Sequence, residues 1–160
     1  QGRMEWGPRA LGNRSILADA RRSDMQQIMN ERIKRRESFR PFAPVLPLER
    51  VGEFFEQSDP DPYMTKVYRI RPEKRELIPA VTHVDGTGRL QTVTRSENPR
   101  YYELTVEFGR LTGIPILLNT SFNENEPVVN TPKQALDCYL RTKMDTLVLE
   151  NAYLSRHLDS

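Results

Sequence analysis

The segment KRRESFR holds four cationic side chains within seven residues: Lys34, Arg35, Arg36 and Arg40. A run of charge at the end of a helix is commonly a solvated face, and that interpretation stays open here. Arg40 has a different setting, because Phe39 precedes it and Pro41 and Phe42 follow it. We expect these neighbours to hold Arg40 in an apolar setting. There its planar guanidinium can donate two parallel hydrogen bonds to a phosphate or a carboxylate.

A second stretch, THVDGTGRLQTV, places Arg89 directly after a glycine-rich turn. The Asp-Gly pair is typical of a hairpin, and a plain hairpin turn explains the stretch as well as an anion-binding loop does. In the second interpretation, the loop N–H groups and Arg89 face the anion. Two glycines and one arginine do not match the phosphate loop of a P-loop NTPase, which argues against that class.

A third stretch, LLNTSFNENEPVV, begins in an apolar run that is typical of a buried strand and continues with short polar side chains. They are Asn119, Thr120, Ser121 and Asn123. Ligands of open α/β sheets bind at the carboxyl ends of strands, and these side chains can donate and accept hydrogen bonds around a nucleotide or a phosphate. They suit an ordinary strand-exit turn equally well.

Other chemistries find little support. The two histidines, His83 and His157, lie in unrelated contexts, and the sequence has no HxxxH, CxxC or HExxH motif for a metal ion. The single cysteine, Cys138, excludes an internal disulfide and falls in a helical pattern. No nucleophile-elbow pattern supports a serine hydrolase. A net charge of +2 argues against nucleic acid as a partner.

The pattern of apolar residues predicts the elements that position these stretches. Helices are predicted over MQQIMNERIKR, LERVGEFFE, NPRYYELTVEFGRLT and TPKQALDCYLRTK, and Pro8 favours a further helix within GPRALGNRSILAD, although Gly12 weakens it. The three prolines of FRPFAPVLP predict an extended or edge strand. Strands are predicted over YMTKVYRIR, LIPAVTHV, RLQTVTR, IPILLNTS and DTLVLENAYL, with a hairpin through the Asp-Gly turn. This order predicts a mixed α/β domain.

Length and composition set the outer limits. A chain of 160 residues with 37% hydrophobic and 29% charged residues predicts one globular domain. No apolar run approaches the roughly 20 residues that span a membrane. One cysteine fits a reducing compartment, so we expect a cytoplasmic protein.

Four blocks together resemble a known family. GRMEWGPRALGNRSILAD, FRPFAPVLPLE, AVTHVDGTGRLQTV and LLNTSFNENEPVVNTP occur in this order and spacing in O-carbamoyltransferases of the antibiotic-biosynthesis and nodulation-factor type. The resemblance implies the C-terminal, YrdC-like part of a two-part enzyme, with a twisted mixed sheet and flanking helices. The other part is Kae1-like, and holds an iron ion and the acceptor site. Residues 23–160 would form the YrdC-like domain, and residues 1–22 would enter from the Kae1-like part.

The family's chemistry implies several ligands. ATP with Mg²⁺ and carbamoyl phosphate would bind here and form carbamoyl adenylate, and a hydroxyl-bearing acceptor such as a sugar would receive the carbamoyl group. Among the opening residues, Glu5, Arg9 and Arg14 would either line the passage between the two parts or lock them together by ion pairs. Two alternatives stay open: a threonylcarbamoyl-adenylate synthase that modifies transfer RNA, and a non-catalytic nucleotide-binding module.

The resemblance also implies site residues. Lys34 with Arg36 or Arg40 matches a Lys-x-Arg element of YrdC-like nucleotide sites, and Ser121 with Asn123 matches their Ser-x-Asn element. Arg89 is expected as a third cation, and Asn119 is a further candidate.

Overall fold

The computed structural model describes residues 1–156, and its main sheet has four strands in the order β1-β6-β2-β5. These strands are β1 (Ser15–Asp19), β2 (Ala43–Pro47), β5 (Gln91–Val93) and β6 (Leu117–Ser121). Strand β6 is antiparallel to both β1 and β2, whereas β2 and β5 are parallel. The mixed sheet that the sequence predicts is therefore confirmed.

This topology brings four chain segments to one edge of the sheet. Strands β1, β2 and β5 all begin at this edge, and β6 ends there, because β6 runs opposite to its neighbours. Arg14, Arg40 and Arg89 each lie within three residues of the start of a strand. Ser121 is the last residue of β6. We call this side of the sheet, with the residues that precede or follow its strands, the cationic edge.

Both faces of the sheet are covered. Neighbouring residues of β6 point to opposite faces, so Leu118 joins the large core and Leu117 joins a second cluster with Val45, Val93 and Tyr101. Burial on both faces explains why the strand reads as a continuous apolar run. The prediction of a doubly buried strand is confirmed.

The helices end where the sequence places their caps. Helix α3 (Pro99–Thr112) begins after Asn98, whose side chain accepts from the Tyr101 N–H, and it ends at left-handed Gly113. Helix α4 (Pro132–Arg141) begins after Thr131, which forms a capping box with Gln134. Both predictions are confirmed. The shorter helices are α1 (Met25–Ile28), continued by a π turn (Met29–Ile33), and α2 (Val51–Phe54), which follows a 3₁₀ turn (Leu48–Arg50).

Two predictions near the cationic edge are wrong. The segment expected to begin a helix at Pro8 instead contains β1, because its apolar residues pair with β6. The segment is extended, as predicted, but β2 is central rather than an edge strand. Pro44 lies before the residues that pair with β5, which begin at Val45, and Pro47 is the last residue of the strand, so both prolines lie near its ends.

The middle of the chain also departs from the sequence pattern. LIPAVTHV is no strand: 3₁₀ turns span Pro72–Leu77 and Pro79–Val81, each with a proline at its start. The Asp-Gly turn is present, but it leads into β4 (Thr87–Gly88), which pairs with β3 (Tyr68–Arg69) rather than forming the predicted hairpin with RLQTVTR. DTLVLENAYL forms two strands, β7 (Thr146–Leu149) and β8 (Ala152–Ser155).

The fold class is mixed α/β with flanking helices, as predicted, and the YrdC-like label stays a prediction. Residues 15–19 belong to the main sheet, and the assignment of residues 1–22 to an interdomain segment also stays a prediction. His157 lies outside the described residues. No helix within residues 1–156 is long and apolar enough to cross a membrane.

Candidate functional site

Lys34 lies at the centre of the cationic edge. The π turn positions it, since its backbone N–H donates to the Met29 carbonyl 2.9 Å away, five residues back. The side chain is 3% exposed. Its ammonium Nζ donates to the carbonyls of Ser121 and Asn123, at 3.0 and 2.8 Å, and to the Asn123 side-chain oxygen Oδ1. The structure therefore brings together three of the predicted site residues.

The surroundings of Lys34 disfavour the charged form of its side chain. Burial, followed by the positive charge of Arg36 and to a small extent that of Arg40, lowers the pKa of Lys34 from 10.5 to about 8, against opposing effects of Cys138 and Glu126. Within residues 1–156 no carboxylate lies within 4.0 Å of Lys34. An anion bound nearby would relieve this repulsion.

Arg36 is held from two sides. Its Nε–H donates to Oδ1 of Asn30 at 2.7 Å, and its guanidinium carbon lies 4.9 Å from the centre of the Phe42 ring. Burial is the main cause that lowers the pKa of Arg36, and the charge of Arg40 adds to it. Arg36 and Arg40 are therefore close enough to repel each other.

Arg40 is held only through its backbone. The Asn30 amide donates to the Arg40 carbonyl at 2.9 Å. The Arg40 side chain, however, is 53% exposed, and its contact with Glu37 is long, at 3.9 Å. Phe39 is exposed as well. The expected apolar setting is therefore wrong for the side chain, because both groups point away from the core.

The loop after β6 is closed by its own hydrogen bonds. The Ser121 hydroxyl donates to Oδ1 of Asn123 at 2.8 Å, and the Asn123 amide donates to the Glu126 carbonyl at 2.6 Å. Two arginines latch the loop from outside: Arg35 and Arg141 contact Glu124 at 3.0 and 3.3 Å, and Arg141 also contacts Glu126. This arrangement fixes Ser121 and Asn123 beside Lys34.

Asn119 lies apart from this cluster. It is 2% exposed, and its amide donates to the Ala10 carbonyl at 3.0 Å and to the Gln91 side chain at 2.6 Å. Its side-chain oxygen has no partner within the described chain. The contacts of Asn119 therefore tie β6 to the segment before β1 and to the start of β5, rather than extend the Lys34 cluster.

Arg89 forms a second positive group with Arg9. Burial lowers the pKa of Arg89, and the charge of Arg9 contributes to the same shift. Across residues 1–156, neither guanidinium has a carboxylate within 4.0 Å. The N-terminal segment thus supplies one cation to the group that contains Arg89.

Glu5 and Arg14 hold the N-terminal segment together. The Glu5 carboxylate accepts the backbone N–H groups of Leu11, Asn13 and Arg14, at 3.0, 2.9 and 3.3 Å. The Arg14 guanidinium donates to main-chain carbonyls at 2.6–3.4 Å, those of Gln1, Gly2, Asn13 and Asn130. Gly12, with a φ of +118°, lets this loop lie on the Tyr101 ring, which a Cβ would overlap. These contacts all lie within the chain.

Comparison with known proteins shows the family to which this chain belongs. The family model for the carbamoyltransferase C-terminus matches residues 1–156. The chain belongs to this carbamoyltransferase family.

The chain is also similar to individual known proteins over nearly its whole length. The chain is 49% identical over 164 residues to the nodulation protein NolNO of Sinorhizobium fredii, covering 100% of the chain and 24% of that protein. It is 50% identical over 153 residues to the nodulation protein NolO of Bradyrhizobium diazoefficiens, covering 93% and 28%. An uncharacterized protein of Synechocystis is 49% identical over 177 residues, covering 98% and 29%. The chain thus spans between 24% and 29% of the length of these three relatives.

Two structural supports of this candidate site could not be predicted from the motifs alone. Asn30 is fully buried and contacts the segment of Arg36 and Arg40. An asparagine between the apolar Met29 and Ile33 was the available signal, because a polar residue on the buried side of a helix needs partners. Glu124 and Arg141 are too far apart in sequence for their contact to be inferred.

The side chains of the domain determine whether it could hold a metal ion directly. No group of three histidine, cysteine, aspartate or glutamate residues that could hold a metal ion occurs within residues 1–156. The donor set at the cationic edge consists of ammonium, guanidinium, hydroxyl and amide groups. This set fits the oxygen atoms of an anion such as a phosphate.

Proposed function

We propose that this domain binds ATP and carbamoyl phosphate at the cationic edge and forms carbamoyl adenylate, from which the carbamoyl group passes to a hydroxyl of an acceptor. The observation that supports this proposal is the excess of cations there. Among residues 1–156, the four cations Lys34, Arg36, Arg40 and Arg89 have one contact with a carboxylate within 4.0 Å, that of Arg40 with Glu37 at 3.9 Å. Like charges gathered without counterions disfavour the folded state, and a bound polyanion would neutralise them.

The proposed reaction has three bond exchanges. Water first cleaves carbamoyl phosphate to carbamate and phosphate. A carbamate oxygen then attacks the α-phosphorus of ATP, and the bond from that phosphorus to pyrophosphate breaks. The acceptor hydroxyl finally attacks the carbamoyl carbon, AMP leaves with the bridging oxygen, and the hydroxyl proton passes to solvent. Phosphoryl chemistry of this kind depends on positioning and on stabilising negative charge.

Each residue of the candidate site has a proposed role in positioning the ligands. Arg40 and Arg36 donate to phosphate oxygens through their guanidinium groups. The buried Lys34 holds Ser121 and Asn123 in place and adds a positive charge to the site. Arg89 lies before β5 at the same edge of the sheet and stabilises the phosphate of carbamoyl phosphate. A Mg²⁺ ion that accompanies ATP would neutralise phosphate charge, and Ser121 and Asn123 would offer it neutral oxygen atoms.

ATP binding by this domain is the direct test. Calorimetry should show saturable binding to the wild type and about tenfold weaker binding to Arg40→Ala, since a charge-assisted contact is lost. Arg110→Ala is the matched control, because Arg110 is an exposed arginine paired with Glu107 on α3. Equal affinities of Arg40→Ala and the wild type would remove Arg40 from the site.

Adenylate formation is to be tested in the full-length protein. We expect exchange of labelled pyrophosphate into ATP that depends on carbamoyl phosphate, and we expect Arg89→Ala and Ser121→Ala to lower its rate. ATP binding without any exchange would indicate a nucleotide-binding module rather than an enzyme. Exchange that both variants leave unchanged would place the reaction elsewhere. Mass spectrometry of a panel of hydroxyl compounds then identifies the acceptor, and iron, if required, is expected outside this domain.

A further inference from the structure

Asn30 is a fully buried polar side chain that the proposed reaction does not use directly. It is 0% exposed and lies in the π turn between the buried Met29 and the buried Ile33. A buried amide costs free energy unless its donors and acceptor are satisfied, and a leucine or methionine would fill this position without that cost. The partners of Asn30 therefore indicate why an amide is there.

All three side-chain hydrogen bonds of Asn30 go to the segment that carries the arginines. Its Oδ1 accepts from Arg36 Nε at 2.7 Å. Its Nδ2 donates to the carbonyls of Ser38 and Arg40, at 3.0 and 2.9 Å. The Asn30 backbone carbonyl also accepts the Arg36 N–H at 3.0 Å. One side chain thus fixes the guanidinium of Arg36 and the main chain of Arg40.

This arrangement leaves a defined part of Arg36 for a ligand. A guanidinium has five N–H donors, of which Asn30 occupies the one on Nε. The Phe42 ring covers one face of the group. Within residues 1–156 the two terminal nitrogens of Arg36 have no carboxylate within 4.0 Å. They are therefore the donors that a phosphate would meet, in an orientation set before the ligand arrives.

We propose that Asn30 is a positioning residue of the anion site, which orients Arg36 and holds the backbone of Arg40 so that both guanidinium groups face one phosphate-bearing ligand. This inference rests on the proposed function, because the ligand is the one named there. Its physical basis is preorganisation: a flexible arginine loses conformational freedom when it binds, and a fixed one has already lost it.

The first measurement needs no ligand. In ¹⁵N-labelled protein, the Nε–H resonance of Arg36, assigned by its disappearance in Arg36→Lys, should exchange slowly with water. Asn30→Ala should abolish this protection, whereas Asn30→Asp, which keeps the acceptor oxygen, should preserve it. Gln27→Ala is the matched control, since Gln27 is an exposed amide on the same helix that bonds Glu31. A rapidly exchanging Nε–H in the wild type would overturn the inference.

The second measurement uses ATP. Asn30→Ala should weaken ATP binding about tenfold, and Gln27→Ala should change it less than about twofold. In an Arg36→Ala background, the effect of Asn30→Ala should shrink to about threefold, because the part that acts through Arg36 is gone. A merely structural role would give the same factor in both backgrounds and would overturn the inference.

Two further outcomes separate this inference from the proposed function. If the wild type binds no ATP while the Arg36 Nε–H is protected, the proposed function fails, and with it the ligand assigned to Asn30. If the wild type binds ATP and Asn30→Ala binds it equally well, only the role of Asn30 fails. Should Asn30→Ala not fold, the isosteric Asn30→Asp replaces it. That variant loses both donor bonds and pairs with Arg36, so an unchanged ATP affinity would overturn the inference.

Discussion

The cationic edge contains two arginine-rich segments that use their charges in opposite ways. In the N-terminal segment, Arg14 donates to four main-chain carbonyls and Glu5 accepts three main-chain N–H groups. In the segment after α1, the Arg40 side chain is exposed, and Arg36 uses one nitrogen to bond Asn30. The same residue type at the same edge of a sheet can therefore fold the chain or stay available to a ligand. Hydrogen-bond partners distinguish the two cases.

Lys34 combines both uses, so its loss should have the largest effect. We expect Lys34→Met to lower the free energy of unfolding by about 3 kcal/mol, since two carbonyls lose their donor, and to weaken ATP binding more than about tenfold. Denaturant unfolding and calorimetry measure these effects. Lys133→Met is the control, because Lys133 is 84% exposed and pairs with Asp137 at the surface. A loss of stability under about 1 kcal/mol would contradict the structural half of this role.

Arg14→Ala tests the folding side of the comparison. We expect the free energy of unfolding to fall by about 2 kcal/mol, because several carbonyls lose a charged donor. ATP affinity should fall less than it does in Arg40→Ala. Arg9→Ala is the control, since Arg9 is exposed, and its stability should stay within about 0.5 kcal/mol of the wild type. The comparison breaks if Arg14→Ala weakens ATP binding more than it weakens the fold.

Arg36→Lys tests whether geometry matters beyond charge. Lysine keeps the positive charge but loses the Nε bond to Asn30 and the planar contact with Phe42. We expect ATP binding to weaken about fivefold, with little change in stability. Calorimetry on Arg36→Lys beside Arg110→Lys, whose exposed arginine pairs with Glu107, makes this measurement. An unchanged affinity would mean that the site senses charge alone.

The pH dependence of binding gives the smallest expected effect. The pKa of Lys34 is lowered to about 8, first by burial and then by Arg36, so Lys34 loses its proton as pH rises through 8. A bound anion favours the charged form and raises the pKa of Lys34. ATP binding at pH 9 should therefore take up a proton and weaken relative to pH 7. Calorimetry in buffers of different ionisation enthalpy detects this uptake, which Lys34→Met should lack.

Local signals in the sequence predicted the helices of this fold well. Asn98, Gly113 and Thr131 act within one turn of their helices, so their effect can be inferred without knowing the rest of the molecule. The pattern of GPRALGNRSILAD predicts a helix, but pairing with β6 decides the structure of β1, and the β6 residues lie about a hundred positions away. The pattern of LIPAVTHV predicts a strand, but Pro79–Val81 forms a 3₁₀ turn whose residues Ala80 and Val81 are as buried as those of a strand would be.

The candidate site shows the same contrast between features set by local sequence and features set by tertiary pairing. The approach of Lys34 to Ser121 and Asn123 followed from matching short motifs, and the structure places these residues in contact. The exposure of the Arg40 side chain could not be predicted, because flanking aromatic residues do not reveal which way they point. The interior position of Asn119 depends on the side chain of Gln91 from another strand. Residue type thus suggested the chemistry, whereas tertiary pairing decided which groups can reach a ligand.

The π turn at Met29–Ile33 has a consequence for how this segment can change during evolution. A π turn holds one residue more than the α-helical turn it replaces, so a deletion of a single codon there would restore regular α geometry. Because both kinds of turn complete one full rotation, the residues after the deletion would keep their places around the helix axis relative to α1. Lys34 would then stay in the interior. The π turn thus marks a place where this segment can change its length by one residue while Lys34, Arg36 and Arg40 keep their positions.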